Sequence, residues 1–155
     1  MSAIKTLLTG GLIIVQLSAA ASAQELTIVN PPTLGNPRPN GYSTAVLTPP
    51  NARIAYISGQ GGHDSTGALS PDFAAQVVQA YANLTAAIEG IGATPDQVAK
   101  LTVYVVDHDM SKLGILTQAV VTTFGDRLPA QTLVPVPKLA IDAMLFEVEA
   151  IVVLN

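Results

Sequence analysis

The run Leu145-Phe146-Glu147-Val148-Glu149-Ala150-Ile151-Val152-Val153-Leu154 constrains the fold more than any other part of the chain. It reads as the strongest strand in the sequence, rich in apolar and β-branched residues and free of glycine and proline. Alternation puts Phe146, Val148, Ala150 and Val152 on one side and Glu147, Glu149, Ile151 and Val153 on the other. Both sides are partly apolar. If helices cover only one of them, the other needs a partner, so self-association is expected.

The remaining segments supply the sheet and the helices. From Gln24 to Pro50 the chain is extended and punctuated by prolines (Pro31, Pro32, Pro37, Pro39, Pro49, Pro50), which exclude a helix there. Within it Tyr42 to Leu47 predicts a short strand, and Arg53 to Ser58 a second one across the Pro49-Pro50-Asn51-Ala52 turn, as hairpin partners. A glycine-rich loop follows at Gly59-Gln60-Gly61-Gly62-His63. Ser70, Pro71 and Asp72 form a helix-start signal, and Phe73, Val77, Ala80, Leu84, Ile88 and Ile91 then recur every three or four residues. Thr102 to Val106 predicts an interior strand and Ser111 to Phe124 a second helix stopped by Gly125. Gln131 to Val136 predicts a strand weakened by Pro135. The order is β-β-α-β-α-β-β, a two-layer α+β sandwich with two helices on one face of a mixed sheet.

The N-terminus has a different character. One basic residue (Lys5), an apolar stretch from Leu7 to Val15 and a small-residue end at Ala21-Ser22-Ala23 make the pattern of a secretory leader, with cleavage expected after Ala23. The apolar part is short of the roughly 20 residues that span a bilayer. A secreted or periplasmic protein without stable membrane association is therefore expected, with residues 24–39 as an extended segment before one domain over 40–155. The chain has no cysteine, so its stability must come from packing or assembly. Seven basic residues against eleven acidic ones lack the basic footprint of a nucleic-acid binder.

Three groups of residues bear on chemistry. Glu147 and Glu149 lie on one side of their strand about 7 Å apart, a spacing that serves an acid and base pair or a plain solvated strand end. The loop from Ser58 to His63 has neither G-x-G-x-x-G nor a phosphate-loop ending, and Ser58 lacks the G-x-S-x-G elbow of a nucleophilic serine. His63 and His108 each adjoin aspartate, but no ligand spacing joins them, so no metal is expected. Asn83-Leu84-Thr85 matches a glycosylation sequon in mid-helix and is taken as accidental.

Taken together, the segments resemble the RidA/YjgF family, the reactive-intermediate deaminases. The likeness runs from about residue 40 to 154 through Gly41-Tyr42-Ser43, Tyr56-Ile57-Ser58-Gly59-Gln60, Gln76, Asn83-Leu84, Gly92-Ala93, Val98 to Asp107, Phe124, Leu128-Pro129-Ala130 and Glu147 to Ile151. The resemblance implies a chorismate-mutase-like subunit that assembles as a homotrimer, with ligand clefts between subunits. It also implies hydrolysis of enamines and imines such as 2-aminoacrylate to ammonia and 2-keto acids, without a cofactor. It places Tyr42, Gly59, Gln131 and Leu133 in the cleft and gives Glu149 the role of orienting water.

Gln131 stands where the resemblance calls for an arginine that grips the substrate carboxylate, and Leu133 where cysteine is frequent. A neutral amide loses the bidentate, charge-assisted clamp, at a cost on the order of 2–5 kcal/mol of binding. Arg127 is a candidate replacement, although its turn position favours a solvated surface arginine. The sequence alone therefore favours an exported small-metabolite binder whose imine deaminase activity is lost or altered. The alternative is a working 2-iminobutanoate/2-iminopropanoate deaminase.

Overall fold

The computed structural model describes residues 25–154. Its elements are β1 (Thr27–Val29), β2 (Ala45–Leu47), β3 (Arg53–Gly61), α1 (Phe73–Gly90), β4 (Val98–Val106), α2 (Leu113–Phe124), β5 (Ala130–Val136) and β6 (Phe146–Leu154). The leader expected over residues 1–23 lies outside the described residues.

β3, β6, β4 and β5 form, in that order, a four-stranded mixed sheet. β6 runs antiparallel to both neighbours, and β5 is parallel to β4. The strand rich in apolar residues over Phe146–Leu154 thus takes an interior place, where it can pair on both edges. α1 and α2 lie on one face. Their buried residues Val77, Leu84, Ile88, Leu116, Val120 and Phe124 join Leu101, Val103 and Val105 of β4 and Phe146, Val148 and Val152 of β6 in one core. Tyr81 stacks on the Phe146 ring at 5.8 Å, and Phe73 meets the same ring edge-on at 6.3 Å.

This arrangement corrects the chorismate-mutase-like class expected above. The mixed sheet with two helices on one face forms, but it is not a single β-β-α-β-α-β-β sandwich. An additional strand, β1, pairs antiparallel with β2 in a separate two-stranded ribbon. The expected hairpin across Pro49-Pro50 does not form either, because β3 pairs with β6 instead. Three-residue strands such as β1 carry too little alternation to announce themselves, and β6 offers β3 a longer apolar edge than β2 does.

The helix start also shifts. Asp72, rather than Ser70, caps α1 by accepting from the Ala75 amide at 2.7 Å, and the Ser70 hydroxyl accepts from the Asp72 amide. Among the described residues no helix is long and apolar enough to cross a membrane.

Candidate functional site

The face of the sheet away from the helices is built in rungs. The first joins Tyr56, Ile151, Lys100 and Ala130 across β3, β6, β4 and β5. Next along the strands come Glu149, Thr102 and Thr132, then Gly61, Glu147, Tyr104 and Val134. With a two-residue repeat, Lys100, Thr102 and Tyr104 share this face with Glu147 and Glu149. The hydrogen bonds agree: the Tyr104 hydroxyl donates to Glu149 Oε1 at 3.3 Å, and the Lys100 ammonium donates to Thr132 Oγ1. Desolvation, followed by the Glu149 charge, raises the Tyr104 pKa. Desolvation lowers that of Lys100.

A hollow of about 130 Å³ opens on this face between Tyr56, Lys100, Thr102, Glu149 and Ile151. Tyr56, 79% exposed, forms one wall. Lys100 and Glu149 both line it but make no ion pair with each other, their charged atoms standing more than 4.0 Å apart.

Gly59 sits where β3 slips register against β6, between Ile57 and Gln60. A Cβ at Gly59 would lie 1.8 Å from Glu147 Oε1 and 2.6 Å from its Cδ. The carboxylate therefore packs directly on the glycine backbone, a placement open to no other residue type. The loop beyond is tied to α1. Asn83 Nδ2 donates to the carbonyls of Gly61 and His63 at 2.9 and 2.8 Å. Gln76, fully buried, donates to the carbonyls of Ser70 and Ala143 and accepts from the Leu145 amide just before β6.

The other expected site residues lie elsewhere. Gln131 and Leu133 alternate with Thr132 and so turn to the helix side of β5, where Leu133 packs on the core. The Gln131 Oε1 atom is buried with no hydrogen-bond partner among the described residues. Tyr42 precedes Ser43, which bridges to Ala130 and whose hydroxyl donates to the Leu128 carbonyl at 2.6 Å. Tyr42 thus stands by the β5 margin. Arg127 is engaged with Glu25 and the Leu26 carbonyl, both at 3.3 Å, in a crevice with Ile28, Asp96 and Leu128.

The single chain therefore brings Gly59, Glu147 and Glu149 together, and separates them from Tyr42, Gln131 and Leu133. Lys100 carries no motif of its own. Its signal was its place two residues before Thr102 on the strand that pairs with the two glutamates. Asn83, part of the family likeness and of a sequon taken as accidental, is a strut: its i−4 neighbour Gln79 donates to its Oδ1 and its own amide reaches the loop carbonyls. Among the described residues no three of His, Asp and Glu converge as metal ligands.

Comparison with known proteins places these features in a lineage. The family model described as Endoribonuclease L-PSP matches residues 36–154. Over 89 residues, 57% of this chain and 69% of the relative, the chain is 34% identical to the 2-iminobutanoate/2-iminopropanoate deaminase of Salmonella typhimurium. The crystal structure of YyfB from Yersinia pestis, described as a protein of unknown function of the conserved Rid family, is similar with a TM-score of 0.79 and 32% identity, over 84% of this chain and 99% of that one. RidA from an Antarctic Psychrobacter bacterium gives a TM-score of 0.61 and 32% identity, over 73% of this chain and 88% of that one. With a family match across most of its length and sequence identity to a characterised relative over more than two thirds of that protein, the chain belongs to the RidA/YjgF superfamily.

Proposed function

We propose that this protein is a cofactor-free imine deaminase acting on small 2-imino acids, the alternative set out above in preference to a binder without activity. The observation that carries the reading is the 34% identity to a 2-iminobutanoate/2-iminopropanoate deaminase, which extends over 69% of that enzyme. The paired carboxylates support it. Glu149 stands on the hollow with Tyr104 bonded to it, and Glu147 is fixed under Gly59.

The chemistry needs little beyond a positioned base. Water adds to the electrophilic carbon of the protonated imine as a C–O bond forms, and the C=N π pair moves to nitrogen. A carboxylate takes one proton from the water and returns it to the nitrogen; the C–N bond then breaks as the carbonyl forms, and the hydroxyl proton passes to the departing ammonia. R–C(=NH₂⁺)–COO⁻ and H₂O give R–C(=O)–COO⁻ and NH₄⁺, so atoms and charge balance. No electron acceptor or metal takes part.

The same proposal includes assembly and export. The separation of Tyr42 and Gln131 from the glutamates favours a cleft completed by another copy, in a homotrimer. The leader pattern favours export, with residues 24–155 as the mature chain; mass spectrometry of an exported form beginning at Met1 would count against this.

The activity is tested by generating 2-iminobutanoate beside the purified protein and following its decay. Wild type should accelerate the decay, and Glu149→Gln should lower the rate by roughly 10²-fold or more, the usual scale for a lost general base. Glu147→Gln, which shortens no side chain, should reduce it as well. Decay in the presence of wild type no faster than in buffer would refute the reading.

A further inference from the structure

The deaminase reading leaves one requirement unmet: a 2-imino acid carries a carboxylate, and Gln131 offers it only a neutral amide. We propose that Lys100 is the carboxylate-binding residue, and that the hollow between Lys100 and Glu149 on the open face of the sheet is where a three- or four-carbon 2-imino or 2-oxo acid sits. The inference rests on the deaminase reading for the identity of the substrate, but its geometry is independent of turnover.

Size is the first support. A hollow of about 130 Å³ leaves room for a short-chain acid.

Charge is the second. A protonated 2-imino acid has a carboxylate on one carbon and an iminium nitrogen on the next. Lys100 and Glu149 both line the hollow; the Lys100 ammonium rests on Thr132 at the β5 side and swings back across β4 to meet the carboxylate, while Glu149 takes the nitrogen and the attacking water. Lys100 and Glu149 are not in contact across it, so a ligand can take both partners without first breaking an ion pair.

Hydrogen-bonding capacity is the third. An ammonium has three donors, and Lys100 spends one on the Thr132 hydroxyl. That bond aims the flexible side chain across β4 toward β5 and leaves two donors for a carboxylate. The lowered Lys100 pKa reports partial desolvation, the condition in which a charge-assisted bond to a bound anion is stronger than in water. Arg127, by contrast, is held by Glu25 and Leu26. Lysine grips as a point charge, so the site should tolerate carboxylates in more orientations than a guanidinium fork would.

The test is calorimetric titration of the protein with sodium 2-oxobutanoate, the stable product analogue, and with neutral 2-butanone. Wild type should bind the acid and not the ketone. Lys100→Met should weaken binding of the acid tenfold or more, and Lys100→Arg should restore it to within about threefold of wild type. A circular dichroism melt on each variant shows that the sheet is intact. Equal affinity in wild type and a folded Lys100→Met, or no binding by wild type, would overturn the proposal. Lysine-dependent binding of 2-oxobutanoate without any acceleration of 2-iminobutanoate decay would uphold this site and refute the deaminase reading, so the two fail separately.

Discussion

Gly59 and Gly62 stand three residues apart and show how one residue type serves two purposes at this site. An alanine Cβ at Gly59 would meet only the far end of Glu147, a carboxylate that can swing aside. Gly59→Ala should therefore cost about 1 kcal/mol of stability or less, at the low end for inserted methyls. It should still reduce imine hydrolysis by roughly 10²-fold, because misplacement of a functional group by about 1 Å has that scale of effect. At Gly62 the same methyl would lie 2.6 Å from both the Cα and the carbonyl oxygen of Gln76, which are helix backbone and cannot yield. Gly62→Ala should lose about 2–3 kcal/mol. Urea denaturation and imine decay measured on both variants separate the two effects: a folded but slow Gly59→Ala beside an unstable Gly62→Ala. The sequence reads both glycines as loop, whereas Gly59 lies within β3 at its register slip and only Gly62 lies beyond the strand's end; what each one touches was not legible either, because the contacts come from β6 and α1, far away in the chain.

At the scale of elements, α1 was the most legible part of the molecule and still contains an unexpected feature. Its stripe Val77, Ala80, Leu84 and Ile88 buries as the periodicity predicts. Tyr81 is buried beside them, under a groove of about 840 Å³ between α1 and α2, with its hydroxyl unbonded among the described residues. Burial raises its pKa well above the ordinary tyrosine value. Above pH of about 10 the unfolded chain gives up this proton and the folded chain keeps it. The unfolded state then binds fewer protons, and stability falls as pH rises beyond that point. Tyr81→Phe should change stability by no more than about 1 kcal/mol at neutral pH, since an unbonded buried hydroxyl contributes little, and should flatten the alkaline decline. Urea midpoints at pH 7 and pH 11 check this; an equally steep decline in the variant would refute it. Tyr104 leaves a residual slope of the same sign. The strands were less legible than the helices. β4 begins at Val98, four residues before the predicted Thr102, because Val98 to Leu101 gain their strand character from pairing with β6 and β5. β1 and its ribbon with β2 were not seen at all, since their register is set by each other and not by local pattern.

At the scale of the whole molecule, the face of β6 that carries Glu147, Glu149 and Ile151 is the face of the sheet that the helices leave uncovered. On it Ile54 is 39% and Tyr56 79% exposed, alongside Ile151 and the polar rungs. The chain that exposes this face also holds its candidate site residues in two sets, Gly59, Glu147, Glu149 and Lys100 on the open face and Tyr42, Gln131 and Leu133 at the β5 margin. In the proposed homotrimer a substrate that touches both sets needs the margin of another copy to approach the open face, and assembly would then be coupled to activity. Static light scattering at micromolar concentration should then give the mass of three subunits. Ile54→Asp, which puts a charge on the open face outside the Lys100 hollow, should shift the mass toward one subunit, because burying that carboxylate without a partner costs several kcal/mol. Its far-UV circular dichroism should stay that of wild type, as the side chain belongs to no part of the helix-side core. If the site is shared, imine hydrolysis should fall with the loss of assembly and recover as protein concentration rises. A wild type that scatters as one subunit, or a monomeric Ile54→Asp that keeps full activity at every concentration, would show that each subunit works alone.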